Sequence, residues 1–379
     1  MNAHIVDHGV VFQGTPGTRT ANCCFASIGR FEDGTLLVSW RVGSAKDSAD
    51  GTILMSRSTD GGRTWETPRE PFSNPPKGRP GTFALNDVPG SLHFAPLTVL
   101  GGRRVLTGLM WLDRSNPTRP MFNERTEGLT TIHTLLSESQ DGGQTWSAPR
   151  AFDAAPFDGL GAITAPILKL SDGRLACQFE TNKHYDDPSP WQHRAMLKFS
   201  DDCGRTWHTP VTVAHDPTCQ IRYWDQHHAI APDGTMAAML WAYDSVLHKE
   251  LNFYLAESRD RGMTWSQPRD GGLPWQLPYP VFLPDGRLVA ICIDRYKSRT
   301  IRALVSHDMG KTFCGEDMVV HQQPTGGVDP GEDNHQIADQ QMWTFGRVEA
   351  VSDPSGDVWM TYYAGDADAT SIHWARFRF

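Results

Sequence analysis

The sequence predicts an all-β repeat protein in which six four-stranded antiparallel units form one domain over residues 1–379, and three observations carry that reading. One short pattern recurs five times along the chain. A second turn signal precedes each copy and occurs six times. The apolar runs between the turns have the length and residue types of strands, and no helix-period apolar segment of useful length interrupts them.

The recurring pattern is Ser-x-Asp-x-Gly-x-Thr-Trp/Phe. Its copies run Ser58 to Trp65, Ser139 to Trp146, Ser200 to Trp207, Ser258 to Trp265 and Ser306 to Phe313, spaced 48 to 81 residues apart. A motif at such intervals marks a repeat architecture in which each unit is one supersecondary element. As a turn it is chemically coherent. Ser and Asp bond the turn backbone, Gly accepts a positive φ, and the aromatic residue supplies packing area between units. A Pro follows four of the five copies.

The second turn is Asp33-Gly34, Gly101-Gly102, Asp172-Gly173, Asp233-Gly234, Asp285-Gly286 and Ser355-Gly356, each leading into an apolar, β-rich run such as Thr35 to Trp40 or Leu175 to Phe179. Asp-Gly between two such runs is a hairpin signal, so six turns predict six blades. After Asp357 to Tyr363 and Ser371 to Phe379 the sequence ends one strand short of a full unit, and His4 to Phe12 precedes the first unit without a partner. The N-terminal strand is therefore expected to become the outer strand of the last blade and to close the ring, which removes an exposed sheet edge.

Thirty-five Gly and 26 Pro suit a chain of short strands and turns. A formal charge of −9 and a pI near 5.9 argue against a nucleic-acid or membrane partner, because both need a basic face. The N-terminus Met1-Asn2-Ala3-His4 shows no basic or apolar leader region, and seven Cys at irregular spacing do not read as a disulfide framework. A cytoplasmic location and no cofactor are expected. His227-His228 lacks a third ligand at recognisable spacing, so no metal site is expected.

In an up-and-down blade the two short turns of each unit share one face. The long connections, 41–52, 68–92, 111–131, 149–162, 180–194, 210–227, 242–251 and 315–344, must then lie on the other. They hold Trp111, Glu180, His184, Trp191, His193, Arg222, Trp224, Asp225, His227, His228, Tyr243 and His335. Aromatic rings beside carboxylates and arginines suit a sugar site, and loops on a rigid scaffold are where function sits. Strand direction places Cys24, His93, His227, Tyr279 and Arg347 at inner-strand starts. Arg41, Trp111, Glu180, Trp241, Asp294 and Tyr363 fall at second-strand ends. These positions form the expected pocket floor.

The five-fold pattern resembles the Asp box of the sialidase superfamily, whose members are six-bladed β-propellers, and as a fold the resemblance covers essentially the whole chain. It implies an arginine triad for a substrate carboxylate, a Tyr nucleophile assisted by Glu, and an Asp acid/base. The first arginine's Phe-Arg-Ile-Pro motif is replaced by Cys23-Cys24-Phe25-Ala26-Ser27. Arg41 is followed by Asp47 and Asp50, with Asp50 the closer match to the acid/base. The assisting Glu falls on Asp225, the second arginine near Trp241, and the Tyr near Gly346-Arg347.

The leading expectation is a glycoside hydrolase acting on an acidic or highly hydroxylated sugar, with Asp50 as general acid and Asp225 or Glu180 as base or nucleophile. Arg41, Arg222 and Arg347 would hold the sugar, with His93, Trp111, Trp241, His184 and Trp191 completing the site. A polysaccharide lyase using Tyr243, His227 and His228 for proton transfer on a uronate, and a non-catalytic carbohydrate-binding propeller, are the alternatives.

Overall fold

The computed structural model describes residues 3–157, 161–313, 317–324 and 342–379. Among them every regular element is a strand, and the strands are arranged as a β-propeller. The first, β1 (His4–Phe12), is followed by β2 (Asn22–Arg30), β3 (Leu36–Gly43) and β4 (Thr52–Ser58). The next group is β5 (Gly90–Phe94), β6 (Leu97–Gly101), β7 (Arg104–Asp113), β8 (Ile132–Ser139) and β9 (Arg150–Ala151). Then come β10 (Gly161–Ala162), β11 (Leu168–Lys169), β12 (Leu175–Thr181), β13 (Arg194–Ser200) and β14 (His208–His215). The fourth group is β15 (Ile221–Ile230), β16 (Met236–Asp244), β17 (Lys249–Glu250), β18 (Tyr254–Ser258) and β19 (Arg269–Asp270). The last two groups are β20 (Gln276–Phe282), β21 (Leu288–Asp294), β22 (Thr300–Ser306) and β23 (Asp317–Gln322), then β24 (Phe345–Ser352), β25 (Val358–Gly365) and β26 (Thr370–Arg378).

Hydrogen bonding groups the described strands into five sheets where the sequence predicts six blades. The difference arises at one place. A parallel bridge of Asn22 with Thr370 joins β2 to β26, so β2–β4 and β24–β26 count as one seven-stranded sheet, with β1 as its additional strand. β1 lies antiparallel along β26, from His4 opposite Arg378 to Phe12 opposite Ile372.

The repeated motif acts as the turn its chemistry predicts. In the first copy Asp60 accepts from Thr64 N at 2.9 Å and Thr64 Oγ1 at 2.6 Å, Ser58 Oγ accepts from Gly62 N at 2.9 Å, and Trp65 Nε1 donates to Gly62 O at 3.0 Å. Two successive residues take positive φ in every copy, so the Gly is required there: Gly62 has φ 86°, and Cys203, Arg261 and Met309 bear the same twist just before their Gly. Each Gly also closes on the preceding unit. Gly143 faces Leu37, Gly204 faces Leu106, Gly262 faces Leu197, Gly310 faces Leu255, and Gly62 faces Trp374 of β26, where a Cβ would lie only 2.6 Å away. These motifs are packing joints on the short-turn side, which leaves chemistry to the opposite rim.

Candidate active site

One irregularity, repeated from sheet to sheet, builds the floor of the site. Near the start of its pairing, each of the inner strands β2, β5, β15, β20 and β24 carries a register shift: between Cys24 and Ser27, Leu92 and Phe94, Trp224 and His227, Gln276 and Tyr279, and Gly346 and Glu349. Four of these bulges place a residue other than Gly in the left-handed region: Phe25 (φ 55°), Asp225 (φ 44°), Leu277 (φ 48°) and Arg347 (φ 36°). Such a conformation costs about 1 kcal/mol or more per residue and persists where surrounding structure enforces it, often next to active sites. All four side chains, with His93 from β5, line a single axial cavity.

The bulges correct the expected floor by a residue or two. Cys24, His227 and Tyr279 were expected there, but the extra residue in each strand turns Phe25, Asp225 and Leu277 inward instead. His93 and Arg347 line the cavity as expected, as do Glu180, Trp191, Trp241 and Tyr363.

Arg347 reaches across the axis. Its Nη1 donates to Asp225 Oδ1 at 2.8 Å, its Nη2 to Thr164 O, and its guanidinium lies 4.3 Å from the Phe94 ring centre. Both charges are largely shielded from water, with Arg347 3 % and Asp225 14 % exposed. The resemblance places a Tyr–Glu pair at these positions, and the chain has an ion pair there.

Glu180, near the end of β12, faces this pair. Its Oε1 accepts from Gln226 N at 3.1 Å and its Oε2 lies 3.4 Å from His193 Nε2. Burial, and next the charge of Asp225, push its pKa well above the ordinary carboxylate range, which favours the protonated form. Burial pushes His193 down to about 3, which leaves that imidazole neutral. His93 is likewise driven well down, by burial first and then by Arg41, Arg114, Arg347 and Lys46.

Two cavity cations escaped the sequence reading. Lys46 belongs to the loop that carries Asp47 and Asp50; its Nζ donates to Trp343 O and to Tyr363 Oη at 3.4 Å. Arg295 follows the last residue of β21, one step beyond the expected Asp294. It donates to Gln276 Oε1 at 2.7 Å and stacks 3.9 Å from the Trp343 ring centre. A signal existed for Arg295, namely its place just after a second-strand end. Phe25, Phe94, Phe122, Trp224 and Trp343 complete an aromatic wall.

Eight expected site residues do not line this cavity. Asp50 accepts from Ser44 N at 3.1 Å and from Ser44 Oγ at 3.1 Å, and faces a separate open groove with Arg19 and Arg79. Arg41 is fully buried and donates to Ala45 O and Ser48 O, both at 2.9 Å, so it clamps the 45–48 turn. Arg222 makes a two-pronged pair with Glu127 at 2.7 and 2.5 Å and lies over Trp191. His227 bonds Pro278 O at 3.0 Å and His228 bonds Gln178 Oε1 at 2.6 Å, each pushed down to about 3 by burial. Tyr243 stacks on Trp224 with its hydroxyl pushed up to about 12, burial being the main cause. Trp111 donates to Phe83 O at 2.8 Å within the packing between sheets, and His184 is exposed on the rim. His335 lies outside the described residues. No group of three or more His, Cys, Asp or Glu suited to a metal occurs among the described residues.

Comparison with curated proteins gives no match. Among solved structures, a protein of unknown function from Dyadobacter fermentans DSM 18053 superposes with a TM-score of 0.75 at 18 % identity, over 100 % of this chain and 99 % of its own. The intramolecular trans-sialidase from Ruminococcus gnavus gives 0.67 at 13 % identity over 97 % of both chains. The Hadza microbial sialidase Hz136 gives 0.64 at 16 % identity, over 94 % of this chain and 67 % of its own. At these identities the likeness is one of fold. The sequence model of the BNR repeat-like domain matches residues 121–328, more than half of the chain. The chain therefore belongs to the BNR repeat-like domain family.

Proposed function

We propose that this protein is a glycoside hydrolase acting on an acidic, hydroxylated sugar, with Glu180 as general acid and Asp225 as its partner carboxylate. The observation that carries the reading is the meeting of these two carboxyl groups in one aromatic-walled cavity, one buried so that its protonated form is favoured and the other held by Arg347. Glycoside cleavage needs two carboxyl groups in opposite protonation states. The glycosidic oxygen takes the proton from Glu180 as its bond to the anomeric carbon breaks. Asp225 then either takes a proton from an attacking water or bonds the anomeric carbon until water displaces it.

Lys46, Arg295 and Arg347 outnumber the charged carboxylates around the cavity, which favours an anionic substituent on the substrate. The named sialidase and trans-sialidase neighbours support this class of substrate by fold only. The lyase reading loses support, because Tyr243, His227 and His228 do not line the cavity.

The same reading takes the seven-stranded sheet as two blades sharing the single Asn22–Thr370 bridge, giving six blades closed by β1. The seating of Gly62 on Trp374, in step with the other four motifs on their preceding units, supports it.

A panel of chromogenic glycosides of hexuronic and sialic acids, assayed beside uronate polysaccharides, tests the function. Aglycone release is expected. New ultraviolet absorbance from an unsaturated uronate would favour the lyase, and sugar binding without either signal would reduce the protein to a binding module.

A further inference from the structure

The cavity is smaller than the substrate class proposed for it. It offers about 80 Å³, space for roughly five to eight water molecules at about 10–15 Å³ each, and a hexuronic acid has roughly twice as many non-hydrogen atoms. Glu180 and Arg347 are buried at this cavity. A sugar that meets them needs a wall that moves.

Most of the wall cannot yield without breaking ladders, because its residues lie on paired strands. Among the described residues outside strands, the connection from β7 to β8 supplies the largest share, namely Met121, Phe122 and Leu129. This connection is a hairpin-like strap. Asp113 N donates to Thr131 O at 2.9 Å where it begins, Phe122 bridges Leu129 within it, and Asn123 N donates to Gly128 O at 2.9 Å.

The strap is fixed unequally at its two ends. At the base Arg114 pairs with Asp47, whose Oδ2 accepts from Met121 N at 3.1 Å, and both side chains are shielded from water. At the tip the ties are polar and reach other sheets. Asn123 Nδ2 and Thr126 Oγ1 donate to Tyr185 O, Leu129 N donates to Lys183 O at 3.0 Å, and Glu127 holds Arg222 of β15. The Glu127 side chain is 33 % exposed, and its backbone bears a φ of 60°. Residues other than Gly in that region gather at clamps and switches. Phe122 is half-buried and stacks on Trp224 with ring centres 6.3 Å apart, so lifting the strap uncovers that indole.

We propose that residues 114–131 are the gate of the cavity, hinged at the Asp47–Arg114 pair and latched at the Glu127–Arg222 pair, opening to admit a sugar and closing Phe122 over it. The inference rests on reading the cavity as a sugar site, while the motion itself can be measured without a sugar.

Backbone hydrogen–deuterium exchange on the intact protein is the test, comparing wild type, Glu127→Gln and Thr126→Val, each free and with glucuronic acid or N-acetylneuraminic acid added. In the free wild type the amides of 121–129 should exchange faster than those of β7, β8 and β15. Each variant removes one latch contact and should raise strap exchange about two- to fivefold, the size expected of a partly exposed contact, with β7, β8 and β15 unchanged. A bound sugar should slow strap exchange, and its association with Glu127→Gln should be faster by a similar factor, because more of the protein is open. Strap amides as slow as those of β7 and β8, variants that leave the strap unaltered, or variants that speed β7 and β8 equally would each overturn the gate. So would sugar binding at an unaltered rate in Glu127→Gln. If neither sugar binds while the strap responds to both variants as expected, the sugar reading fails and the gate remains.

Discussion

The Arg347–Asp225 pair permits a prediction whose size follows from its burial. Arg347→Met removes the guanidinium and leaves the Asp225 carboxylate, 14 % exposed, facing an apolar side chain. Taking one partner from a buried ion pair destabilises by about 3–5 kcal/mol, because the remaining charge is neither solvated nor matched. For a chain of this size that corresponds to a Tm lower by roughly 4–6 °C. Asp225→Asn should also destabilise, while the double variant should recover part of the loss, since neither charge is then stranded. Arg347→Gly adds a counterintuitive arm. It removes more side chain than Met yet relieves the φ of 36°, so it should be less damaging than Arg347→Met by about 1 kcal/mol. Denaturant unfolding of the four variants at neutral pH gives the cycle. Single variants that each cost under about 1 kcal/mol, or losses that simply add, would refute a buried, coupled pair.

Other expectations follow from the same geometry. Buried His193, His227 and His228, each held near 3 against an ordinary 6.5, stay neutral in the fold, so the unfolded chain takes up protons first on acidification. Stability from these groups is full above pH 6.5 and should fall as pH drops towards 3; a Tm unchanged between pH 7 and 5 would contradict this. Glu349, buried on β24 and pushed up to about 8 by burial against an ordinary 4.5, acts with the opposite sign. Its contribution is lost as pH rises through that range, and Glu349→Gln should flatten the decline in Tm between pH 6.5 and 8. Asp50→Asn should leave glycoside turnover unchanged, because Asp50 faces a separate groove; loss of turnover without loss of fold would restore it to the site. Asp141→Ala should lower Tm, since it deletes acceptors for Thr145 N and Thr145 Oγ1 at 2.9 and 2.6 Å, and should leave KM alone.

The fold was legible where local chemistry decides local structure. The Ser-x-Asp-x-Gly-x-Thr-Trp turns and the Asp-Gly hairpins encode their conformations in four to eight consecutive residues, and their number and spacing reveal the units. Glu180, Trp241 and Tyr363 were legible for a related reason, since a regular strand end can be counted from its hairpin. The floor was not, because a bulge adds a residue without a sequence signature. Nothing in Cys24-Phe25 or Asp225-Gln226-His227 announces which residue takes the left-handed φ, and a shift of one or two positions exchanges a cavity residue for a core residue. Lys46 and Arg41 were exchanged for a further reason. Arg41 is the more natural ligand by type, but its two terminal nitrogens are turned onto Ala45 O and Ser48 O, and that is visible only in three dimensions.

The central claim is that Glu180 delivers a proton in the cavity it shares with Asp225. Release of aglycone from aryl glycosides of hexuronic or sialic acid, compared between wild type and Glu180→Gln, tests it most directly. The account predicts turnover by the wild type and a loss of about 10²–10⁴-fold in the variant, with substrate affinity and Tm little changed. Equal turnover by both, or none by the wild type on any acidic glycoside, would contradict it.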